Sequence, residues 1–135
     1  MEVSLDSKAL LNAAVGASDR AYAPYSKFKV GAAVLAKSGK IYTGCNVENA
    51  SYGLTVCAER VAVFKAISEG DKELEALALS AEGGAYPCGA CRQVLQEFNP
   101  NLRIFLGDSE GQLVAESSLK DLLPKPFGPE CLENK

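Results

Sequence analysis

Two short segments, residues 57–60 (Cys-Ala-Glu-Arg) and residues 87–91 (Pro-Cys-Gly-Ala-Cys), constrain this chain more than any other feature. Each precedes a run with the apolar spacing of a helix, so each predicts thiols in the first turn of a helix. A catalytic zinc site has three protein ligands and leaves its fourth position to water. We therefore expect a zinc site with Glu59 as the base that acts on the water. The expected ligands are Cys57, Cys88 and Cys91.

Each part of this site also has a simpler interpretation. A Cys-x-x-Cys segment at a helix start is equally typical of redox proteins. Cys57 alone predicts a buried apolar residue, and Glu59 alone predicts a carboxylate stabilised by the positive end of a helix. A structural zinc site would need a fourth ligand, for which Cys45 and Cys131 are the remaining thiols. The two segments together favour the catalytic site.

Composition narrows the class of protein further. The 135 residues are 47% hydrophobic and 23% charged, which predicts one globular domain over residues 1–135. A net charge of −3 argues against nucleic acid as a partner. No apolar run or leader pattern indicates a membrane or export, so we expect a cytoplasmic protein. The chain has no histidine, so a transition-metal site must use sulfur and carboxylate, and a Ser-His or Cys-His nucleophile pair is excluded.

Hydrophobic periodicity predicts nine elements. Helices are expected at residues 6–22, from residue 57 to about 69, at 91–98 and at 118–123, and strands at 28–35, 41–45, 74–80, 102–106 and 112–115. The second helix is expected to bury Val61, Phe64 and Ile67. The order of these elements predicts an α/β fold, a three-layer α/β/α arrangement around a five-stranded mixed sheet.

Residues 57–59 and 87–91 resemble the zinc deaminase signature in its all-cysteine form. Residues 28–33 (Phe-Lys-Val-Gly-Ala-Ala) and 44–52 (Gly-Cys-Asn-Val-Glu-Asn-Ala-Ser-Tyr) look like the small homotetrameric cytidine deaminases. The resemblance implies that family's fold, one Zn²⁺ per subunit and a homotetramer with sites shared between subunits. It also implies hydrolysis of cytidine and deoxycytidine to uridine and deoxyuridine plus ammonia, in pyrimidine salvage.

The resemblance also implies a role for each matching residue. Glu59 would move protons while activated water attacks C4, and the backbone of Ala58 would contact the base. Phe28 would pack against the pyrimidine, and Asn46 and Glu48 would hold the ribose. Arg60 would offset the thiolate charge. The residues that would reach a neighbouring subunit's site are Ala50, Tyr52 and Phe127.

The same positions also have ordinary structural interpretations. Phe28 and Tyr52 could be core residues, and Asn46 could be a turn residue. Phe127, between two prolines, favours an interface or ligand contact. Gln93, two residues after Cys91, is a further candidate to contact the metal ligands.

Three other functions compete with this hypothesis. A deaminase of aminonucleoside antibiotics, of the blasticidin type, shares the three cysteines and the glutamate, but Asn46 and Glu48 favour a plain ribose. A polynucleotide editor is disfavoured by the negative charge. A structural, non-catalytic zinc protein leaves Glu59 and residues 44–52 unexplained.

Overall fold

The computed structural model describes residues 6–132, within which five strands form one mixed sheet. The strands are β1 (Gly31–Ala36), β2 (Ile41–Cys45), β3 (Leu74–Ser80), β4 (Arg103–Gly107) and β5 (Leu113–Ser118). The helices are α1 (Ser7–Ser18), α2 (Ala58–Ser68), α3 (Gly89–Phe98) and α4 (Leu119–Leu122), with 3₁₀ turns at Tyr52–Leu54 and Pro129–Leu132. The spatial order of the strands is β2-β1-β3-β4-β5, in which only β3 and β4 are parallel neighbours.

Helices cover both faces of this sheet, which confirms the predicted three-layer α/β/α fold. Alternate side chains of each strand point to opposite faces. Along β1, Val34 packs in the larger apolar cluster with α2 and α3, whereas Ala33 packs in the smaller cluster with α1. The face that α1 covers is lined mostly by alanines, so this helix can lie close to the sheet.

Helix α1 begins as predicted, because the Asp6 side chain accepts a hydrogen bond from the backbone N–H of Ala9 at 3.0 Å. It ends at Ser18, earlier than the predicted end at residue 22. The chain then forms an isolated parallel bridge between Tyr22 and Val47.

No helix within residues 6–132 has both the length and the apolar character needed to cross a membrane.

The close approach of α1 depends on Gly31. A Cβ atom at this position would lie 1.8 Å from the carbonyl oxygen of Ala14. We expect Gly31→Ala to lower the free energy of unfolding by about 3 kcal/mol, because the backbone of α1 would have to move away from the sheet.

The matched control for Gly31→Ala is Gly16→Ala, the same chemical change at a position without a close contact. Gly16 is an exposed residue inside α1, and a Cβ atom there would have no neighbour within 4 Å. This change should raise the free energy of unfolding by roughly 0.5–1 kcal/mol, since alanine is the better helix residue. Urea unfolding of both variants checks the pair, and equal stabilities would contradict the packing argument.

Two further sequence expectations, about the start of β1 and the buried face of α2, are also wrong. Strand β1 begins at Gly31 and not at residue 28, so Phe28 lies in the preceding loop. The backbone of this loop is bonded by the side chain of Asn46, to Val30 and to Phe28, and not by a neighbouring strand. Helix α2 does not bury Phe64, whose side chain is 48% exposed. It buries a stripe of small residues with Glu59, namely Ala58, Glu59, Ala62, Val63 and Ala66.

The small stripe on α2 faces Gly44 of β2. A Cβ atom at Gly44 would lie 2.7 Å from the carbonyl oxygen of Ala58 and 2.5 Å from the backbone nitrogen of Ala62. Only a residue without a side chain allows this contact. The first turn of α2 is therefore seated directly on the sheet.

Candidate active site

The N-termini of α2 and α3 meet, and each brings thiols to the meeting point. Cys57 is the N-cap residue of α2 and Cys88 that of α3, and Cys91 lies in the first turn of α3. The Sγ atoms of Cys57 and Cys88 are 3.9 Å apart, and those of Cys88 and Cys91 are 3.4 Å apart. Zinc–sulfur bonds of about 2.3 Å in tetrahedral geometry separate two sulfurs by roughly 3.8 Å. The three thiols therefore fit one zinc ion.

The cluster is open on one side. Cys91 is buried, Cys57 is partly buried and Cys88 is exposed. Within residues 6–132, no fourth cysteine, aspartate or glutamate joins the three sulfurs within 4.8 Å. Cys45 and Cys131 are free thiols outside the group. A set of three ligands with solvent access matches a catalytic zinc site, not a closed structural one.

The surroundings of the thiols favour negative charge on Cys57. Hydrogen bonds from the Cys91 thiol and from Arg60 lower the pKa of Cys57 to about 5. The hydrogen bond between Cys91 and Cys57, together with burial, raises the pKa of the Cys91 thiol. Arg60 Nη2 lies 3.6 Å from the Cys57 sulfur. Arg60, which we expected to offset the thiolate charge, is thus in contact with one of the thiols.

Glu59 lies beside the thiols in the first turn of α2 and is only 5% exposed. Burial raises the pKa of this carboxyl, and the negative charge of Cys57 adds to the effect. A carboxyl with a raised pKa can take up and release a proton nearer to neutral pH than an exposed one. The position and environment of Glu59 suit a group that moves protons.

A residue that sequence reasoning missed, Arg92, holds the segment that carries Cys88. Its Nε donates to the carbonyl oxygen of Pro87 at 2.7 Å, and its Nη1 donates to the carbonyl oxygen of Leu122 at 2.8 Å. Arg92 therefore ties the residue before a ligand to the end of α4. The only sequence signal was an arginine directly after the second cysteine of the Cys-x-x-Cys segment.

The loop after β2 lies next to the cysteine cluster. Val47 forms an antiparallel bridge with Val56, the residue before Cys57, with N···O distances of 2.9 and 3.0 Å. The bridge places Asn46 and Glu48, on either side of Val47, near the start of α2. Sequence spacing alone does not bring residues 46–48 to the metal ligands.

Asn46 and Glu48 both bond the segment that carries Phe28. Asn46 Oδ1 accepts from the Val30 backbone N–H at 2.9 Å, and its Nδ2 donates to the Phe28 carbonyl oxygen at 2.8 Å. Glu48 accepts from the backbone N–H of Tyr25 at 2.9 Å. The side chain of Phe28 is 40% exposed, so it is not a core residue within one chain.

The residues predicted to reach another subunit lie on the surface of the chain. Tyr52 is 73% exposed and Phe127 is 59% exposed. The Tyr52 ring contacts Tyr25 edge to face with centroids 5.8 Å apart. Gln93 Nε2 donates to the Phe127 carbonyl oxygen at 2.8 Å, so Gln93 binds the C-terminal segment. Ala50 is exposed and Ala58 is buried at the first position of α2.

Comparison with known proteins agrees with this geometry. Residues 5–106 match the family model described as the cytidine and deoxycytidylate deaminase zinc-binding region. A cytidine deaminase of Sporosarcina psychrophila is 47% identical over 95% of this chain and 96% of its own length. A probable cytidine deaminase of Dictyostelium discoideum is 44% identical over 90% of this chain and 84% of its own.

Solved structures show the same similarity. The crystal structure of cytidine deaminase from Burkholderia pseudomallei has 48% sequence identity and a TM-score of 0.86, and the match covers 91% of this chain and all of that one. The cytidine deaminase from Mycobacterium tuberculosis has 44% identity and a TM-score of 0.79, with 93% and 99% covered.

Proposed function

This chain belongs to the cytidine and deoxycytidylate deaminase zinc-binding family, and we propose that it catalyses hydrolytic deamination of cytidine and deoxycytidine. The observation that carries the proposal is an open group of three thiols with a buried carboxylate beside it. Hydrolysis replaces the 4-amino group of the pyrimidine by oxygen from water and releases ammonia. The products are uridine and deoxyuridine.

We assign zinc to Cys57, Cys88 and Cys91. When bound, it would lower the pKa of a nearby water molecule and so make a nucleophilic oxygen available near neutral pH. Glu59 accepts the proton that this water loses as its oxygen bonds to C4. Glu59 gives this proton to N3. It then takes the second proton of the former water from the oxygen now bonded to C4 and gives it to the amino group, which leaves as ammonia with the electrons of its bond to C4, while that oxygen becomes the carbonyl oxygen of the product. Arg60, in contact with Cys57, offsets the negative charge of the ligands.

We assign nucleoside binding to the loops beside the thiols. Phe28 offers an exposed aromatic face for the pyrimidine, and the first N–H groups of α2, including that of Ala58, have no partner within the helix and can bond the base. Asn46 and Glu48 offer a donor and an acceptor to the ribose hydroxyls. A donor and acceptor of this kind favour a plain ribose over the modified sugar of an aminonucleoside antibiotic.

The test is direct incubation of the purified protein with cytidine. We expect absorbance loss and stoichiometric ammonia release with the zinc-loaded protein, and none after zinc removal by a chelator. Deoxycytidine should react as well, and a blasticidin-type aminonucleoside should react much more slowly. Zinc-loaded protein that leaves cytidine unchanged would overturn the proposal. Faster turnover of the aminonucleoside than of cytidine would identify the aminonucleoside as the substrate instead.

We also propose that the chain works as a homotetramer in which neighbouring subunits complete each site. The support is the exposure of two aromatic residues: Tyr52, whose ring contacts Tyr25, and Phe127, whose carbonyl oxygen is bonded by Gln93 of α3. Exposed aromatic side chains of this kind are typical of surfaces that bind another protein. The thiol ligands favour a reducing compartment, and we propose the cytoplasm.

The shared site predicts complementation between two inactive variants. Glu59→Gln removes the proton carrier and Phe127→Ala removes the side chain that a neighbour would supply. Mixed assemblies should recover roughly a quarter of wild-type activity, because one chain supplies Glu59 and its neighbour supplies Phe127. Light scattering should give four times the chain mass of 14.2 kDa. Glu59→Gln mixed with Cys88→Ala is the control, since both changes affect groups of one chain, and it should recover nothing.

A further inference from the structure

We propose that Ser26 is a positioning residue for nucleoside binding, because its hydroxyl holds both the Glu48 carboxylate and the backbone of Phe28. The inference rests on the proposed function, in which Phe28 contacts the base and Glu48 contacts the ribose. Ser26 lies outside every sequence motif that indicated the site. The hydrogen bonds around it carry the inference.

Ser26 joins Glu48 to Phe28 through one oxygen atom. Its Oγ donates to Glu48 Oε2 and accepts from the Phe28 backbone N–H at 3.0 Å. The backbone N–H of Ser26 donates to Glu48 Oε1 at 3.1 Å, beside the bond from Tyr25. Ser26 thus bonds both oxygens of the carboxylate and sets its rotation.

The turn between Ser26 and Phe28 has an unfavourable backbone conformation. Lys27 has a φ of 61°, in the left-handed region, which costs a non-glycine residue roughly 1 kcal/mol or more. Its N–H donates to the carbonyl oxygen of Ala23 at 3.0 Å. Such a conformation persists only where surrounding bonds maintain it. The hydrogen bond from Phe28 to Ser26 Oγ closes this turn, so the direction of Phe28 depends on that hydroxyl.

The backbone of Phe28 is held on both sides, by Ser26 and by one group of the proposed ribose site, Asn46. Its N–H bonds Ser26 and its carbonyl oxygen accepts from Asn46 Nδ2. Both proposed ribose groups can form further hydrogen bonds: Asn46 Nδ2 has a second hydrogen, and Glu48 Oε2 can accept another bond. Ser26 therefore determines which carboxylate oxygen and which lone pair remain for a ribose hydroxyl. The hydrogen bond from its hydroxyl also lowers the pKa of Glu48, which keeps this group an ionised acceptor.

Steady-state kinetics with cytidine test the inference. Ser26→Ala should raise KM about 10-fold with a smaller change in kcat, because a hydrogen bond to a charged group is lost while Glu59 and the thiols are untouched. Ser26→Thr keeps the hydroxyl and should restore KM to within about 3-fold of wild type. Zinc content should match wild type in both variants, and both should keep a cooperative melting transition.

Ser38→Ala is a matched control elsewhere in the fold. The Ser38 hydroxyl also donates to a carboxylate, that of Asp71 at 2.9 Å, and accepts from the N–H two residues later, that of Lys40 at 3.3 Å. This variant should keep the wild-type KM. An equal rise in KM for Ser38→Ala and Ser26→Ala would overturn the inference, because it would show a general effect of losing such a bond.

A double-mutant cycle with Glu48→Gln tests the route of the effect. If Ser26 acts through the Glu48 carboxylate, Ser26→Ala should raise KM by less in the Glu48→Gln background than in wild type. Equal rises in the two backgrounds would overturn the part of the inference that assigns the effect to Glu48, and a wild-type KM for Ser26→Ala would overturn the whole. These failures differ from failure of the proposed function, in which the wild-type protein itself would not deaminate cytidine.

Discussion

Replacing Glu59 by glutamine should abolish nearly all turnover while leaving zinc and fold in place. The carboxyl lies beside the thiols but is not among the three ligands, so its loss should not release the metal. Glutamine has nearly the same size and can bond similarly, but it cannot carry protons between water, N3 and the leaving amine. We expect kcat to fall roughly 10²–10⁴-fold, as is typical of a lost general acid–base group.

The readouts for Glu59→Gln are uridine formation, bound zinc and melting temperature. Glu97→Gln is a suitable control, because Glu97 is an exposed glutamate on α3 with no role in the site. The control should keep wild-type activity. Uridine production by Glu59→Gln at the wild-type rate would show that another group moves the protons.

Removing either thiol of α3 should release the zinc. Cys88 is exposed and Cys91 is buried, so the two differ greatly in packing but contribute equally as ligands. We expect Cys88→Ala and Cys91→Ala to reduce bound zinc from one ion per chain to roughly a tenth or less, because two thiolates do not make a stable zinc site. Activity should fall in proportion to the metal.

Elemental analysis of the dialysed proteins measures this loss. Cys131→Ala is the control, since Cys131 is a free thiol outside the group and should leave zinc unchanged. Cys91→Ala should also lower stability through the lost core packing, whereas Cys88→Ala isolates the effect of the ligand. Full zinc occupancy in Cys88→Ala would contradict the three-thiol assignment.

The strand and helix order could be predicted because each element carries its own local pattern. β1 is a nearly continuous apolar run that suits a strand buried on both faces, and α3 begins with cysteines three residues apart on one helical face. The predicted fold class is confirmed. The clustering of Cys57, Cys88 and Cys91 could also be predicted, because both segments place thiols at helix starts and together resemble one zinc signature.

The face of α2 could not be predicted from periodicity. Val61, Phe64 and Ile67 have the right spacing for a buried stripe, yet the helix buries its alanines instead. The physical reason is the close approach of the α2 backbone to Gly44, at Ala58 and Ala62, which favours small side chains at these two positions. Hydrophobicity along the chain does not carry information about the distance between a helix and a sheet.

The three thiols and the neighbouring carboxylate can be predicted from two stretches of sequence, because each group of these residues lies within one helix turn. The arrangement of the loops that we propose to bind the nucleoside, residues 25–30 and 46–48, depends on contacts between distant parts of the chain. The Tyr22–Val47 bridge and the hydrogen bonds that link Asn46 and Glu48 to residues 25–30 join segments far apart in the chain. Such contacts form only when the sheet has brought those segments together, so no spacing rule along the chain reveals them.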